Sequence, residues 1–362
     1  MKAAVMRQLG SPLTIEEVDI DRPQPYEVLV DVAAAGLCHS DLRFLEGSFD
    51  HPLPTVLGHE VAGVVRAVGD SVTAVEPGDR VVLSLSVYCG SCALCLAGKT
   101  HLCVDKEATR RAPGDPQRLS VGDEPLHQFL DLSGFAEQTL VHENAVVRID
   151  DGIPLEHAAV LGCGVATGLG AVFNTATVQR GESVVVVGCG GVGLSAVQGA
   201  RIAGAGQVIA VDPLPAKLDL AMSLGATETL LASDPDLVAK TIELADGVGA
   251  DHVIEAVGRV DTIEQGFAMT RRGGTVTVVG LVPAGSRVAI PTDDLYYERR
   301  VQGSVMGSND FKADVPRYID MYRDGLLNLG DMVTERITLE QINEGFATMI
   351  AARDPRILIE FD

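Results

Sequence analysis

Four cysteines fall within fifteen positions as Cys89, Cys92, Cys95 and Cys103, a C-x2-C-x2-C-x7-C pattern with Gly90 and Gly98 among them. Four thiolates complete the tetrahedral shell of Zn2+. Such a group leaves no position for water or substrate, and points to a structural metal that staples a lobe without a core of its own. A second pattern lies in VVVVGCGGVGLSAV, where Gly188, Gly190 and Gly193 form G-x-G-x-x-G directly after an apolar run and at the opening of a helical one. The first glycine permits a tight turn, the second lets the backbone approach a pyrophosphate, and the third lets helix and strand pack closely. Gly191 and Val192 then sit at the helix start, whose partial positive charge favours an anion. Asp212 closes QVIAVD nineteen positions after Gly193. A carboxylate there accepts hydrogen bonds from the adenosine ribose and repels a 2′-phosphate, which selects NAD over NADP; Lys217 follows and helps to hold the ribose.

A third group is dispersed: Cys38 in GLCHSDL, His59 with Glu60 in LGHEVAGVV, and Cys163 in LGCGVATGLG. Two thiolates and an imidazole would give zinc three protein ligands and one open position, the composition of a catalytic site. No spacing rule joins them, however, and a cysteine or histidine beside an apolar strand is also read as a buried structural group. The residues alone leave both readings open.

The elements that must carry these groups change in character along the chain. Residues 1 to about 100 hold short valine-rich runs closed by Gly, Asp or Pro-Gly, such as EVLVDVAAAG and HEVAGVVRAVG, and read as mostly β. From about 181 short apolar strands alternate with helical segments, which predicts a parallel sheet covered by helices on both faces. After about 310 the pattern turns helical before ILIEF, a returning strand; Lys106 to Pro125 reads as a long surface loop. The 362 residues, 46% apolar and 22% charged, suffice for two domains. A formal charge of −22 disfavours nucleic acid and anionic membranes as partners. No apolar run reaches the length of a membrane span, and seven unevenly spaced cysteines suit metal ligation in a reducing compartment, so a cytoplasmic protein is expected.

At these residues the chain resembles the zinc-dependent alcohol dehydrogenases of the medium-chain dehydrogenase/reductase superfamily. Gly58, His59, Glu60, Gly63, Gly69 and Val72 fit that family's zinc signature G-H-E-x2-G-x5-G-x2-V, and GLCHSDL, the four-cysteine lobe, LGCGVATG and GCGGVG follow in the family's order. The resemblance implies an α/β architecture: a GroES-like, β-rich catalytic domain over 1–165, with the structural zinc lobe at 86–105, completed by 311–362, and a Rossmann doubly wound domain over 166–310. It implies two zinc ions per chain. Cys38, His59 and Cys163 would hold the catalytic one, with Glu60 as a transient ligand, Asp41 orienting His59 and Ser40 accepting the alcohol proton. It also places His39, Thr167 and Arg356 at the NAD cofactor and implies a homodimer, with the active site facing the sheet's carboxyl ends across a cleft between the domains.

The same resemblance places Phe49, Leu85, Phe129, Leu130, Leu281 and Val305 along the substrate channel. All are apolar, which favours a hydrophobic primary or secondary alcohol, or its aldehyde or ketone, over polyols. Relatives that oxidise the glutathione adduct of formaldehyde carry acidic and basic residues at the channel mouth, which Ser48, Phe49 and Glu107 do not reproduce; that S-hydroxymethyl substrate is the alternative. One departure stands out: many relatives have a relay histidine where this chain has Arg43, which cannot act as a base near neutrality; His39 matches a family position that contacts the cofactor pyrophosphate, and His51 could assist. Cys189, inside the glycine turn, has no assigned role. A non-catalytic zinc and nucleotide-binding relative would be expected to lose one of the dispersed ligands or Ser40, and a zinc-free quinone reductase would need none of them.

Overall fold

The computed structural model describes residues 1–351 and 356–361. The chain divides into two compact units, Met1–Gly164 with Asp310–Gly325 and Leu329–Asp362, and Val165–Asn309 with Leu326–Asn328. The last three residues, which the sequence reading leaves with the first unit, group with the second. There Gln198 clasps the Asn328 backbone, donating to its carbonyl at 3.0 Å and accepting from its amide at 2.7 Å.

The first unit is β-rich, as its valine runs predict. Glu27–Gly36 is its longest strand and pairs antiparallel with Glu60–Val68, Gln138–His142 and Ile357–Glu360, so the returning strand lies beside the strand that leads to Cys38. Val28, Val30, Val61, Leu83, Phe135 and Ile357 fill the core beneath this sheet. A smaller sheet contains Lys2–Met6 and the hairpin Leu119–Val121 with Glu124–Gln128. That hairpin lies in the segment expected to be a surface loop. The polar composition of the segment hides two arginines, Arg111 and Arg118, that are buried against Glu27 at 2.7 Å each.

The second unit contains a six-stranded, all-parallel sheet. Its spatial order is Glu228–Leu231, Gln207–Asp212, Ser183–Val187, Ala250–Glu255, Thr270–Val278 and Arg300–Gly303. Numbered from Ser183–Val187 this is the doubly wound order 3-2-1-4-5-6, with the reversal between the first and fourth strands, where ligands bind. Val184–Val187 are buried throughout because helices cover both faces of such a sheet. Local signals set the helices: Pro215 opens Pro215–Leu224, and Gly225 ends it in the left-handed region. No single helix among the described residues is long and apolar enough to cross a membrane.

Candidate metal and nucleotide sites

Cys38 is the extended N-cap of the short helix His39–Leu45, and Asp41, in its first turn, reaches back to accept the Cys38 amide at 3.2 Å. The same carboxylate accepts the Gly58 amide at 3.1 Å and His59 Nδ1 at 3.0 Å. Gly58 sits at φ 94, and a Cβ there would stand 2.6 Å from the Phe135 backbone nitrogen, so only glycine brings His59 to this position. Asp41 accepts the Nδ1 hydrogen bond, which leaves His59 Nε2 as the ring atom available to a metal; it is buried and has no hydrogen-bond partner among the described residues. The potential ligand atoms of Cys38, His59, Glu60 and Cys163 all lie within 4.8 Å of one another. The dispersed residues thus meet in one place, and their soft sulfurs, imidazole and carboxylate are a donor set that fits zinc.

The electrostatics of this cluster are those of groups competing for protons. The hydrogen bond from Cys163, aided by His59, holds Cys38 well below the usual thiol range despite burial, while Cys163 is pushed well up. Burial works against a charged His59, but Asp41 and Cys38 raise it well above its ordinary value. A divalent cation bound by these atoms displaces those protons. Burial pushes the Glu60 carboxyl up to about 7 even though Arg356 Nη1 lies 2.6 Å from both its oxygens. The resemblance assigns Arg356 to the cofactor pyrophosphate; in the structure it is buried on Glu60, with Nε making no hydrogen bond among the described residues.

The second cluster gathers all four cysteines of the lobe. Sulfur separations of 3.6 Å (Cys89–Cys103), 3.5 Å (Cys92–Cys95), 3.9 Å (Cys89–Cys95) and 4.0 Å (Cys92–Cys103) bracket the roughly 3.8 Å edge of a tetrahedron with Zn–S bonds of about 2.3 Å. The amides of Ser91 and Cys92 point at Cys89 Sγ from 3.4 and 3.2 Å and pull that thiol down to about 6, and burial pushes Cys95 up to about 12.

In the second unit the strand Ser183–Val187 runs into Gly188, at φ 94, and Gly190 caps the helix Gly191–Ala203. A Cβ on Gly193 would stand within bonding range of the Gly188 carbonyl, whereas one on Gly190 meets nothing within 4 Å, which leaves the approach to the helix start, at Gly191 and Val192, clear. Asp212, buried at the end of its strand, accepts the Cys189 amide at 2.8 Å and the Leu214 amide at 3.0 Å, so the carboxylate is fixed beside the turn. Cys189 is buried and its thiol is pushed up to about 12, which makes it inert. Lys217 is half-buried, and the Thr167 hydroxyl donates to Met306 Sδ at 3.5 Å.

Comparison with known proteins agrees with this geometry. Residues 24–151 match the family model described as alcohol dehydrogenase GroES-like domain, and residues 191–322 that described as zinc-binding dehydrogenase. The S-(hydroxymethyl)glutathione dehydrogenase of Synechocystis sp. is 38% identical over 99% of both chains, and the NDMA-dependent alcohol dehydrogenase of Amycolatopsis methanolica is 39% identical over 99% of this chain and 98% of its own. The crystal structure of benzyl alcohol dehydrogenase from Acinetobacter calcoaceticus superposes with a TM-score of 0.94 at 32% identity, covering 100% of this chain and 99% of that one. The chain belongs to the zinc-dependent alcohol dehydrogenases of the medium-chain dehydrogenase/reductase superfamily.

In this dehydrogenase the first unit is the GroES-like fold and the second the Rossmann α/β fold. Ser40 lies in the first turn of His39–Leu45, half-buried, beside exposed His39. Of the expected channel residues, Phe129 is fully buried with its ring 5.8 Å from that of His59, and the Phe44 ring, which the sequence reading missed, lies between Phe129 at 4.7 Å and Phe49 at 5.3 Å. Phe44 stands four residues after Ser40 on the same helix, and that i, i+4 spacing was the available signal. Leu85 and Leu130 are half-buried and pack against the core of the first unit; Leu281 and Val305 belong to the second unit and are exposed. His51 packs edge-on to Phe129 at 5.4 Å. Its Nε2 lies 3.1 Å from Thr55 Oγ1, whose own proton goes to the His127 carbonyl, so His51 is the donor there and its Nδ1 keeps a lone pair.

Proposed function

We propose that this dehydrogenase interconverts hydrophobic primary or secondary alcohols and their aldehydes or ketones with NAD. The observation that carries the reading is the buried Cys38, His59, Glu60 and Cys163 cluster, whose unpartnered His59 Nε2 lies beside a wall of phenylalanine rings. Cys38, His59 and Cys163 would hold a zinc ion, which would supply the Lewis acidity that lowers the pKa of an alcohol, and the glycine turn would hold NAD, which would supply the hydride acceptor. The chain's own groups do the rest. Asp41 holds the His59 tautomer, Ser40 Oγ takes the alcohol proton, and Phe44 and Phe49, with Phe44 backed by buried Phe129, bind the apolar part of the substrate and exclude water. The alcohol loses one proton and one hydride, giving the carbonyl compound, NADH and a proton to solvent.

The Synechocystis relative keeps a second reading in view, the S-hydroxymethyl adduct of glutathione. Against it, Arg110, the basic group beside this region, is already held by Asp131 at 2.8 Å and Glu107 at 2.6 Å, so a peptide carboxylate would have to displace them. We infer further that the chain forms a homodimer through the unpaired edge strand Arg300–Gly303, and that it works in the cytoplasm, where thiol clusters stay reduced.

The test is NADH formation, followed by absorbance, with aliphatic, secondary and aromatic alcohols and S-(hydroxymethyl)glutathione, using NAD, NADP and NDMA as alternative acceptors, alongside a zinc count. Turnover of aromatic or long-chain alcohols with NAD, and about one zinc per ligand group, supports the reading. Turnover confined to the glutathione adduct overturns the substrate class, and turnover with NDMA but not with added NAD overturns NAD as the acceptor substrate.

A further inference from the structure

Glu255 ends the strand Ala250–Glu255 in the second unit and pairs in register with Val187, the residue before Gly188, at the point where the strand order reverses. It is completely buried, and nothing in the reaction above uses it. One carboxylate oxygen, Oε1, accepts three donors: the Val257 amide at 3.0 Å, the Gly258 amide at 2.8 Å and the Thr262 hydroxyl at 2.7 Å. The other, Oε2, has no hydrogen-bond partner among the described residues. The Glu255 backbone carbonyl accepts the amides of Val279 and Gly280, at 2.8 and 2.9 Å, from the end of the neighbouring strand.

This single residue therefore gathers three segments: the turn after its own strand, the start of the helix Val260–Met269, and the exit of Thr270–Val278. The two turns touch closely enough that a Cβ on Gly280 would stand 2.0 Å from the Gly258 nitrogen, and one on Gly258 would stand 2.5 Å from the Leu281 carbonyl oxygen. The gathered turn in turn bears on the phosphate loop, because a Cβ on Gly188 would stand 2.7 Å from Val257 Cγ2. Two amides deprived of a buried acceptor cannot be satisfied where they are, and the Thr262 hydroxyl falls back on the Arg259 carbonyl at 2.9 Å and no longer ties the helix start to Glu255, so the turn must move, and Val257 with it.

We propose that Glu255 is a positioning residue for the dinucleotide: by tying the two strand exits together it seats Val257 against Gly188 and so holds the glycine turn in its binding shape. The proposal rests on the assignment of this turn to NAD. Burial raises the Glu255 carboxyl above its ordinary value against the pull of the Thr262 hydroxyl and the backbone amides of the turn, so glutamine, which keeps the Oε1 acceptor, is the conservative replacement.

Steady-state kinetics of the zinc-loaded enzyme test it, with Glu255→Gln, Glu255→Leu, Thr262→Val and Val257→Ala, and NAD as the titrated ligand. Glu255→Leu is expected to raise KM for NAD about tenfold or more, Val257→Ala and Thr262→Val several-fold, and Glu255→Gln less than about twofold. kcat at saturating NAD and KM for the alcohol stay within about twofold of wild type throughout. If Glu255→Leu does not fold, the two milder variants decide by the same criterion. An unchanged KM for NAD in Val257→Ala and Thr262→Val, a loss in Glu255→Gln equal to that in Glu255→Leu, or a parallel fall of kcat overturns the proposal. Failure of the wild type itself to be saturated by NAD would instead refute the cofactor assignment, which separates the two outcomes.

Discussion

Replacing Asp41 by asparagine tests how the buried cluster is built. The carboxylate is fully buried and accepts three N–H groups, His59 Nδ1 and the Gly58 amide on Oδ1 and the Cys38 amide on Oδ2. Asparagine keeps the shape but has only one acceptor oxygen. The less costly orientation leaves that oxygen on His59 and Gly58 and turns the NH2 group towards the Cys38 amide, donor against donor; the flipped orientation loses two bonds instead. One buried donor left unsatisfied costs about 1–3 kcal/mol. Because that donor belongs to a ligand residue, and because the imidazole also loses an anionic partner, metal affinity at this cluster should fall about 10- to 100-fold. The four-cysteine lobe shares no residue with Asp41 and serves as an internal reference. Chelator competition with a chromophoric zinc indicator should show two equivalents released together or nearly so in wild type, and in Asp41→Asn one released well before the other. Activity should fall with that first equivalent and return on adding zinc. Two unchanged release steps, or both weakened alike, would refute the reasoning, the first because Asp41 does not act on the cluster and the second because the whole unit has loosened.

Three further outcomes are expected. Cys103→Ser should remove the lobe's zinc and lower the thermal midpoint by roughly 5 °C or more, with zinc at the other cluster retained, as read by metal content and calorimetry. Asp212→Asn removes the charge that repels a 2′-phosphate, so the ratio of kcat/KM for NAD to that for NADP should drop about tenfold or more; an unchanged ratio refutes that role. Glu27 is held below its ordinary 4.5 because Arg111 and Arg118 together outweigh the effect of burial. Its stabilisation is therefore present above about pH 4.5 and lost as pH falls through the lowered folded value, so acid unfolding should steepen below 4.5. Glu27→Gln should flatten that limb and cost about 3–5 kcal/mol at neutral pH by leaving buried Arg118 without an anionic partner, while Arg111 keeps Asp21 at 2.6 Å, measured by denaturant unfolding across pH.

What the sequence showed depended on how far apart the interacting residues lie in the chain. The cysteine lobe and the glycine turn are local, since backbone geometry alone brings their residues together, and both appear in the structure as spaced. The strand and helix periods likewise report local burial, which is why the parallel sheet was readable from its valine runs. The metal cluster joins Cys38, His59 and Cys163 across a sheet whose pairing no spacing encodes, and only the family resemblance connected them. Arg356 reaches Glu60 over 296 residues, and no pattern of charge or spacing announces that contact. The segment from Lys106 to Pro125 shows the opposite error. Its polar composition predicts exposure, yet Arg111 and Arg118 are buried because Glu27, 84 and 91 residues earlier, compensates them. Composition reports the average cost of burying a group, and pairing removes that cost in particular cases. Glu255 escaped notice for a related reason, since its role lies in backbone amides that a sequence does not distinguish from any others.

The pairing of Glu60 with Arg356 follows from the charge count at the cluster. Two thiolates balance a bound dication, so the ligands themselves leave the buried site neutral with a neutral imidazole. Asp41 then adds one negative charge, spread over three N–H donors. Glu60 would add a second in the same low-dielectric volume, and burial drives its carboxyl towards the protonated form, up to about 7 even with Arg356 beside it. A protonated Glu60 could neither accept the Gly164 amide as strongly, at 3.2 Å, nor serve as a ligand. Arg356, fully compensated on one side and unpartnered at Nε, supplies the opposing charge and keeps the net burial at a single negative unit. The cation that stabilises Glu60 is buried with it: Arg356 directly precedes the returning strand Ile357–Glu360, whose pairing with Glu27–Gly36 fixes its height beside the cluster.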